Sequence, residues 1–248
     1  MSISTELTRM AQNVGALTAD TNAIFEALRA KGVNVPANAQ LSDVADMIES
    51  IVIPHQNEVE IGGRWYPYVQ IGNQLWLAEN LDYKYPGMHF EDDAYTYGYG
   101  AYYNYQGTKY YDYGLLYNNL AMSEMDSHGY LPAGWRFPTI EDWNTLISYI
   151  GGASNPLKLK STSGWTTTSW NHNGTDNFGF NAKPAGRKTG SSYSIGNFEE
   201  RGLGAYFWTA FDTYQSTPYI IMYADQDITQ STAMYRELNS IRLVKDVT

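Results

Sequence analysis

Val69-Gln70-Ile71-Gly72-Asn73-Gln74-Leu75-Trp76-Leu77-Ala78-Glu79-Asn80-Leu81 lies where strands, turns and aromatics replace helical periodicity along the chain. Just before it, Glu58-Val59-Glu60-Ile61 and Arg64-Trp65-Tyr66 flank Gly62-Gly63 and read as a β-hairpin. After it, ten tyrosines fall between Tyr95 and Tyr117, interleaved with Gly, Asn and Asp. Periodicity is poor there, so the run reads as an ordered loop with short strands. Tyr110 to Tyr117 are expected to pack, and Tyr95 to Tyr105 to be exposed. Thr139-Ile140-Glu141-Asp142 has the form of a capping box and opens a helix carrying Trp143, Leu146, Ile147 and Ile150, which Gly151-Gly152 ends. From there to Val247, short strands alternate with Gly, Ser and Asn turns.

Further strings follow in order: Gly114-Leu115-Leu116-Tyr117 with Leu120-Ala121-Met122, Leu131-Pro132-Ala133-Gly134-Trp135-Arg136-Phe137-Pro138-Thr139, and Lys158-Leu159-Lys160-Ser161-Thr162-Ser163-Gly164-Trp165. Phe178-Gly179-Phe180, Pro184-Ala185-Gly186-Arg187, Ala205-Tyr206-Phe207-Trp208-Thr209 and Ile241-Arg242-Leu243-Val244-Lys245-Asp246 complete the set. Together with the segment Ile71 to Leu81 they resemble the Fibrobacter succinogenes major paralogous domain over about Val59 to Val247. The resemblance implies an α+β, C-type-lectin-like domain with a mixed, mostly antiparallel sheet, two helices and long loops. The variable proteins of diversity-generating retroelements share that fold, among them phage tail-tip receptor binders. The family usually has Cys where this chain has Leu131 and Leu243, so these two leucines are expected to meet in the core in place of a bridge. Trp76, Trp135, Trp143, Trp165 and Trp208 lie in or beside the shared strings and are expected in the core, with Arg242 as a structural partner of a carboxylate or carbonyl.

The N-terminal part reads as helix. Leu7, Met10, Val14, Leu17, Thr21, Ile24 and Leu28 alternate steps of three and four, a heptad seam that either packs on its own domain or pairs with another copy. Ser4 is placed to cap its start and Gly32 to stop it, with Gly15 a weak point in the middle. Ser42 opens a second helix with Val44, Met47, Ile48 and Ile51 on one face. Periodicity breaks at Ile53-Pro54, giving a helical attachment segment over residues 1–53 and a ligand-binding domain over 54–248. Arg29 to Pro36 with Leu41 to Ala45 resembles a small helical module near the N-termini of phage tail proteins.

Composition narrows the function. Across 248 residues, 26 Asp and Glu against 16 Lys and Arg give a net charge of −10, which repels phosphate backbones. No nucleic-acid partner is expected. With no cysteine, disulfides, thiolate nucleophiles and Cys-ligated metals are excluded. The polar opening MSISTELTRMAQ lacks the apolar run of a signal peptide, and no stretch is apolar enough to insert in a membrane, so synthesis in the bacterial cytoplasm is expected. Tyr and Gly number 22 each, a mixture suited to recognition surfaces and to aromatic packing alike.

The ligand-binding surface is placed between Phe211 and Tyr235, where the resemblance puts the variable face: Phe211, Asp212, Tyr214, Gln215, Tyr219, Ile221, Tyr223, Asp225, Gln226, Asp227, Thr229 and Tyr235. Strand alternation puts Tyr219, Ile221, Tyr223 and Asp225 outward and Ile220, Met222 and Ala224 inward. Asp225-Gln226-Asp227 and Glu91-Asp92-Asp93 are weak Ca²⁺ candidates, acidic pairs being usually solvated, and His55, His89, His128 and His172 lack zinc spacing. No metal, cofactor or catalytic residue is assigned, there being no phosphate loop or nucleophile elbow. The expectation is a phage or prophage tail-associated receptor-binding protein, an adhesin borne on the virion. It would be homotrimeric, joined to other tail proteins through its N-terminal helices, and would bind a host cell-surface protein or glycan. A bacterial cell-surface structural domain is the alternative, and a glycan hydrolase a third reading.

Overall fold

The structure, a computed structural model, describes residues 3–30, 33–44, 47, 55–90, 99–105, 107–191, 194–210, 217–233 and 236–247. The chain divides into two compact units, Met1–Gln56 and Asn57–Thr248.

In the first unit, helix α1 spans Ile3–Ala30. It starts before Ser4, which is therefore an internal residue and not its cap. Phe25 and Leu28 near its end pack with Val35 and Met47, and Val33, Ala39 and Val44 lean on that small core. Leu41–Asp43 form a 3-10 turn whose Asp43 accepts from the Gln40 N–H at 2.8 Å, so Gln40, not Ser42, holds the cap position. Gly32, Ile48 and Ile51 lie outside the described residues. Earlier on the α1 seam, among the described residues, Val14 is 64% and Leu17 61% exposed, and Met10 and Ile24 are exposed too.

The second unit begins with the hairpin of β1 (Glu58–Ile61) and β2 (Arg64–Ile71), in register Ile61↔Arg64. Gly62 and Gly63 take φ of 59° and 83°, the left-handed pair that a two-residue hairpin turn requires. Next, β3 (Gln74–Leu77) pairs with β2. The last strand, β14 (Val244–Asp246), returns to pair antiparallel with β3, so the sheet order is β1-β2-β3-β14. Between them run β4 (His89–Phe90), β5 (Tyr99–Ala101) and β8 (Leu116–Tyr117) in a small sheet, and the hairpin of β6 (Tyr103–Tyr105) with β7 (Thr108–Tyr110). The β4–β5 pair is parallel; the other strand pairs are antiparallel.

Among the described residues this unit has two α-helices. Asn118 caps α2 (Asn119–Ser127) by accepting from the Ala121 N–H, and Ala121, Met122 and Met125 bury one face. Helix α3 (Ile140–Tyr149) opens on the Thr139 capping box. Asp142 there also takes hydrogen bonds from Arg136 and, at 2.9 Å, from Gln74. Arg136 reaches Asp246 at 3.0 Å as well, tying the helix start to β14.

The chain then forms the hairpin of β9 (Arg187–Ser191) with β10 (Ser194–Glu199). A three-stranded sheet follows, of β11 (Gly204–Trp208), β12 (Thr217–Tyr223) and β13 (Thr229–Ala233). This sheet is covered on both faces. Tyr206, Trp208 and Tyr219 join a core with Tyr66, Tyr117, Trp135 and Leu243. Ala205, Phe207, Ile220 and Met222 join another with Trp76, Trp143, Trp165 and Phe180. The five expected core tryptophans are all buried. Leu243 is wholly buried, and Leu131 packs, half-buried, on the same cluster, so the two positions share one core. Arg242 is sealed inside, donating to Asn80 Oδ1 and to the carbonyls of Leu77, Phe180 and Asn181.

The tyrosine run corrects the exposure expected between Tyr95 and Tyr105 and, at Tyr111 alone, the packing expected between Tyr110 and Tyr117. Tyr99 and Tyr103 are buried, not exposed, because β5 and β6 fold onto Leu116, Ala185 and Leu238. Tyr110 and Tyr113 pack on that core and Tyr117 is buried, but Tyr111 is 58% exposed. Tyr95 and Tyr97 lie outside the described residues.

Candidate ligand-binding face at the β12–β13 turn

Strands β12 and β13 pair from Thr217↔Ala233 to Ile221↔Thr229, leaving a turn at Ala224 to Ile228. Ala224 sits at φ 51°, a left-handed conformation that strains an L side chain and needs support from its surroundings. The support is Lys160. Its side chain is wholly buried, and its ammonium donates to Ala224 O (3.0 Å), Asn171 Oδ1 (3.0 Å) and Asp225 Oδ1 (2.8 Å). The ammonium also lies 3.9 Å from the centroid of the Trp165 ring. Three donors meet three acceptors, so the buried charge is satisfied. Burial pushes the Lys160 pKa down, with Asp225 opposing it.

A second segment meets the turn. Asn171 donates to Thr166 O at 2.7 Å, and Thr168 N–H to Asn171 O at 2.8 Å, folding 166–171 tightly. Asp225 N–H then donates to Trp170 O at 3.2 Å. His172 N–H donates to Asp225 Oδ1 (3.2 Å), and His172 Nδ1 lies 2.5 Å from Asp225 Oδ2. Burial pushes the Asp225 carboxyl up, but Lys160 and His172 outweigh it and hold it below the usual range. Trp170 is 50% exposed and stacks on Tyr223, with centroids 6.4 Å apart and planes 27° from parallel. Gln226, Asp227 and Thr229 are exposed beside them.

The strand alternation on β12 is as read from the sequence, but the outward face is covered near its start. Tyr219 is only 4% exposed, so it is corrected from ligand contact to core. Its ring lies edge-on to Trp208, and its hydroxyl accepts from Arg187 at 3.2 Å. Ile221 is half-buried against the same cluster. Asp225 points inward to Lys160 and His172; with both oxygens taken, it is no free cation ligand. Among the described residues no three His, Asp or Glu side chains gather as a metal site. Phe211, Asp212, Tyr214, Gln215 and Tyr235, with Glu91, Asp92 and Asp93, lie outside the described residues. The sequence reading missed Lys160, Trp170 and His172 as site residues. Its signal for Trp170 was indirect: a tryptophan in a polar, turn-rich stretch with no strand or helix to bury it.

The arrangement offers two stacked rings and several polar groups beside a turn held by the hydrogen bonds of Lys160. His172 and Asp225 are paired as in a hydrolytic relay, but among the described residues no hydroxyl hydrogen-bonds to His172. No curated protein and no solved structure matches this chain. The sequence profile of the Fibrobacter succinogenes major domain matches residues 69–245. That span holds both helices of the second unit and the whole turn site, and the chain belongs to the Fibrobacter succinogenes major domain family.

Proposed function

We propose that this chain is a receptor-binding protein of a phage or prophage tail, which recognises a host cell-surface protein or glycan without catalysis. The observation that carries the reading is the half-exposed Trp170 stacked on Tyr223 at a turn locked from within by Lys160. An exposed indole tends to be removed from water by a partner, and large rigid aromatics supply most of the energy at recognition surfaces. A pre-ordered turn loses little freedom on binding, so its side chains spend less of their contact energy on ordering. Gln226, Asp227 and Thr229 around the rings supply polar contacts that choose the ligand.

We read the domain as C-type-lectin-like, in keeping with its mostly antiparallel strands, two helices and long irregular stretches. Such a scaffold suits retroelement diversification, since buried framework residues fix the backbone beneath replaceable outward ones. The exposed seam of α1 suits a coiled coil of three copies, which would present three binding faces and multiply a weak affinity by avidity. The same helix would join the other tail proteins.

The test is adhesion of the labelled full chain across a panel of bacterial strains. The wild type should bind some strains. Trp170→Ala with Tyr223→Ala should lose that binding, with a melting temperature within a few degrees of the parent. Binding that survives the double variant would place the receptor face elsewhere and overturn this assignment.

A further inference from the structure

A second site, sharing no residue with the turn, lies where the end of the β3 segment meets the loop after β7. Here a pocket of about 190 Å³ is walled by Glu79, Asp82 and Arg64, floored by Asn80 and rimmed by Tyr111, Asp112 and Lys183. We propose that this pocket binds one neutral, hydroxyl-rich ring, the end residue of a saccharide.

The walls are already ordered. Arg64 donates to Glu79 Oε1 at 2.6 Å and to Asp82 Oδ2 at 3.3 Å, and the Tyr102 hydroxyl donates to Asp82 Oδ1 at 2.9 Å. Asn80 on the floor is buried and held by three bonds: it accepts from Arg242 at 2.8 Å and donates to Tyr113 O and Ser240 Oγ. Gly114, at φ 76°, lays its backbone so close that a Cβ there would lie 3.0 Å from Leu81 O. These carboxylates can accept further hydrogen bonds without first being immobilised.

Two charges in the pocket are uncommitted. Asp112 and Lys183 both line it, and among the described residues neither side chain has an ion-pair or hydrogen-bond partner. A hydroxyl donates and accepts at once, so a ring bearing several can satisfy an isolated acceptor and an isolated donor together. Tyr111, 58% exposed and edge-on to Tyr102 at 4.6 Å, supplies an apolar plane for the C–H face of such a ring. Other ligand classes fit less well. A phosphate would meet three carboxylates and two cations, with Arg64 already bonded twice. An apolar ligand would desolvate those charges without pairing them. The volume falls below that of drug-sized sites, which suits a single ring with the rest of a glycan outside.

The experiment is saturation-transfer NMR on the full chain with a panel of methyl glycosides: glucose, galactose, mannose, N-acetylglucosamine and N-acetylgalactosamine. At least one should receive saturation. Its affinity should fall by roughly tenfold or more in Tyr111→Ala and in Asp112→Asn, exposed positions whose replacement leaves the melting temperature near the parent's. Trp170→Ala should leave this binding unchanged, which separates the pocket from the receptor face. The proposal is overturned if no glycoside binds, if binding survives both pocket variants, or if it depends on Trp170 instead. Loss of cell adhesion in Trp170→Ala with glycoside binding intact would leave both assignments standing, and the reverse pattern would sink each separately.

Discussion

Lys160 shows how one residue sets a surface it never reaches. Its ammonium is the donor that holds Ala224 in its left-handed conformation and turns Asp225 inward. Replacing it by Met keeps the volume but leaves a carboxylate, a carbonyl and an amide oxygen without their donor. Lys160→Met should cost about 3–5 kcal/mol in urea unfolding, the usual range for breaking a buried charge pair from one side. A loss below about 1 kcal/mol would mean the turn is held by its neighbours alone. Two tyrosines on one strand should behave differently for a related reason. Tyr219 is packed on Trp208 and bonded to Arg187, so Tyr219→Ser should cost roughly 3 kcal/mol or more. Tyr223, half-buried at the rim, should lose about 1 kcal/mol or less on the same change. Equal melting temperatures for the two variants would contradict the burial that separates them.

At the scale of elements, the unaccompanied seam of α1 makes the clearest demand. Val14 and Leu17 present their side chains to solvent on the apolar seam, and among the described residues the small core of their unit does not include them. Val14→Glu with Leu17→Glu should dissociate the full chain to monomers in light scattering while leaving the signal of the folded second unit intact. An unchanged mass would remove the helix from any role in assembly. Elements whose chemistry is local could be read directly from the sequence. The Gly62-Gly63 turn follows from backbone freedom and the α3 start from the Thr139 box, while the core tryptophans follow from the family strings. The binding face could be read only in part. Alternation correctly puts Tyr219 opposite Ile220, but the pattern cannot show that a second layer covers the Tyr219 side of the sheet. Nor does periodicity connect Lys160, Trp170 and Asp225, which meet only because an irregular turn at 166–171 folds against a strand end far along the chain. The tyrosine run failed for the same reason: whether Tyr103 is core or surface depends on Phe198, a distant partner.

Over the whole molecule the dominant quantity is negative charge, and its effect on stability depends on where the carboxylates sit. Burial pushes Asp142 up, yet Arg136 and the Thr139 donors outweigh it and hold the carboxyl below its usual range. Asp225 is held low in the same sense. Both therefore add stability above the unfolded carboxylate pKa, and that stability is lost as pH falls through their lowered folded values. Glu237 works in the opposite direction. Arg187 is engaged by Glu199 at 3.3 Å and Glu200 at 3.0 Å, and the Glu237 Oε2 is buried with no hydrogen-bond partner among the described residues. Burial pushes the Glu237 pKa up to about 7, with Arg187 opposing the shift and Glu199 adding to it. Between the unfolded carboxyl value near 4.5 and pH 7 the folded state holds a proton that the unfolded chain has released, so stability must fall as pH rises through that window. General repulsion among the acidic groups acts in the same direction, and only a comparison can separate the two. Glu237→Gln stays neutral at every pH and removes one specific term while leaving the rest of the surface unchanged. Urea unfolding at pH 5 and at pH 7.5 should therefore show a smaller drop in the variant than in the parent, by on the order of 2 kcal/mol. Parallel drops in the two proteins would show that Glu237 is already ionised in the fold and that the pH response belongs to the surface as a whole.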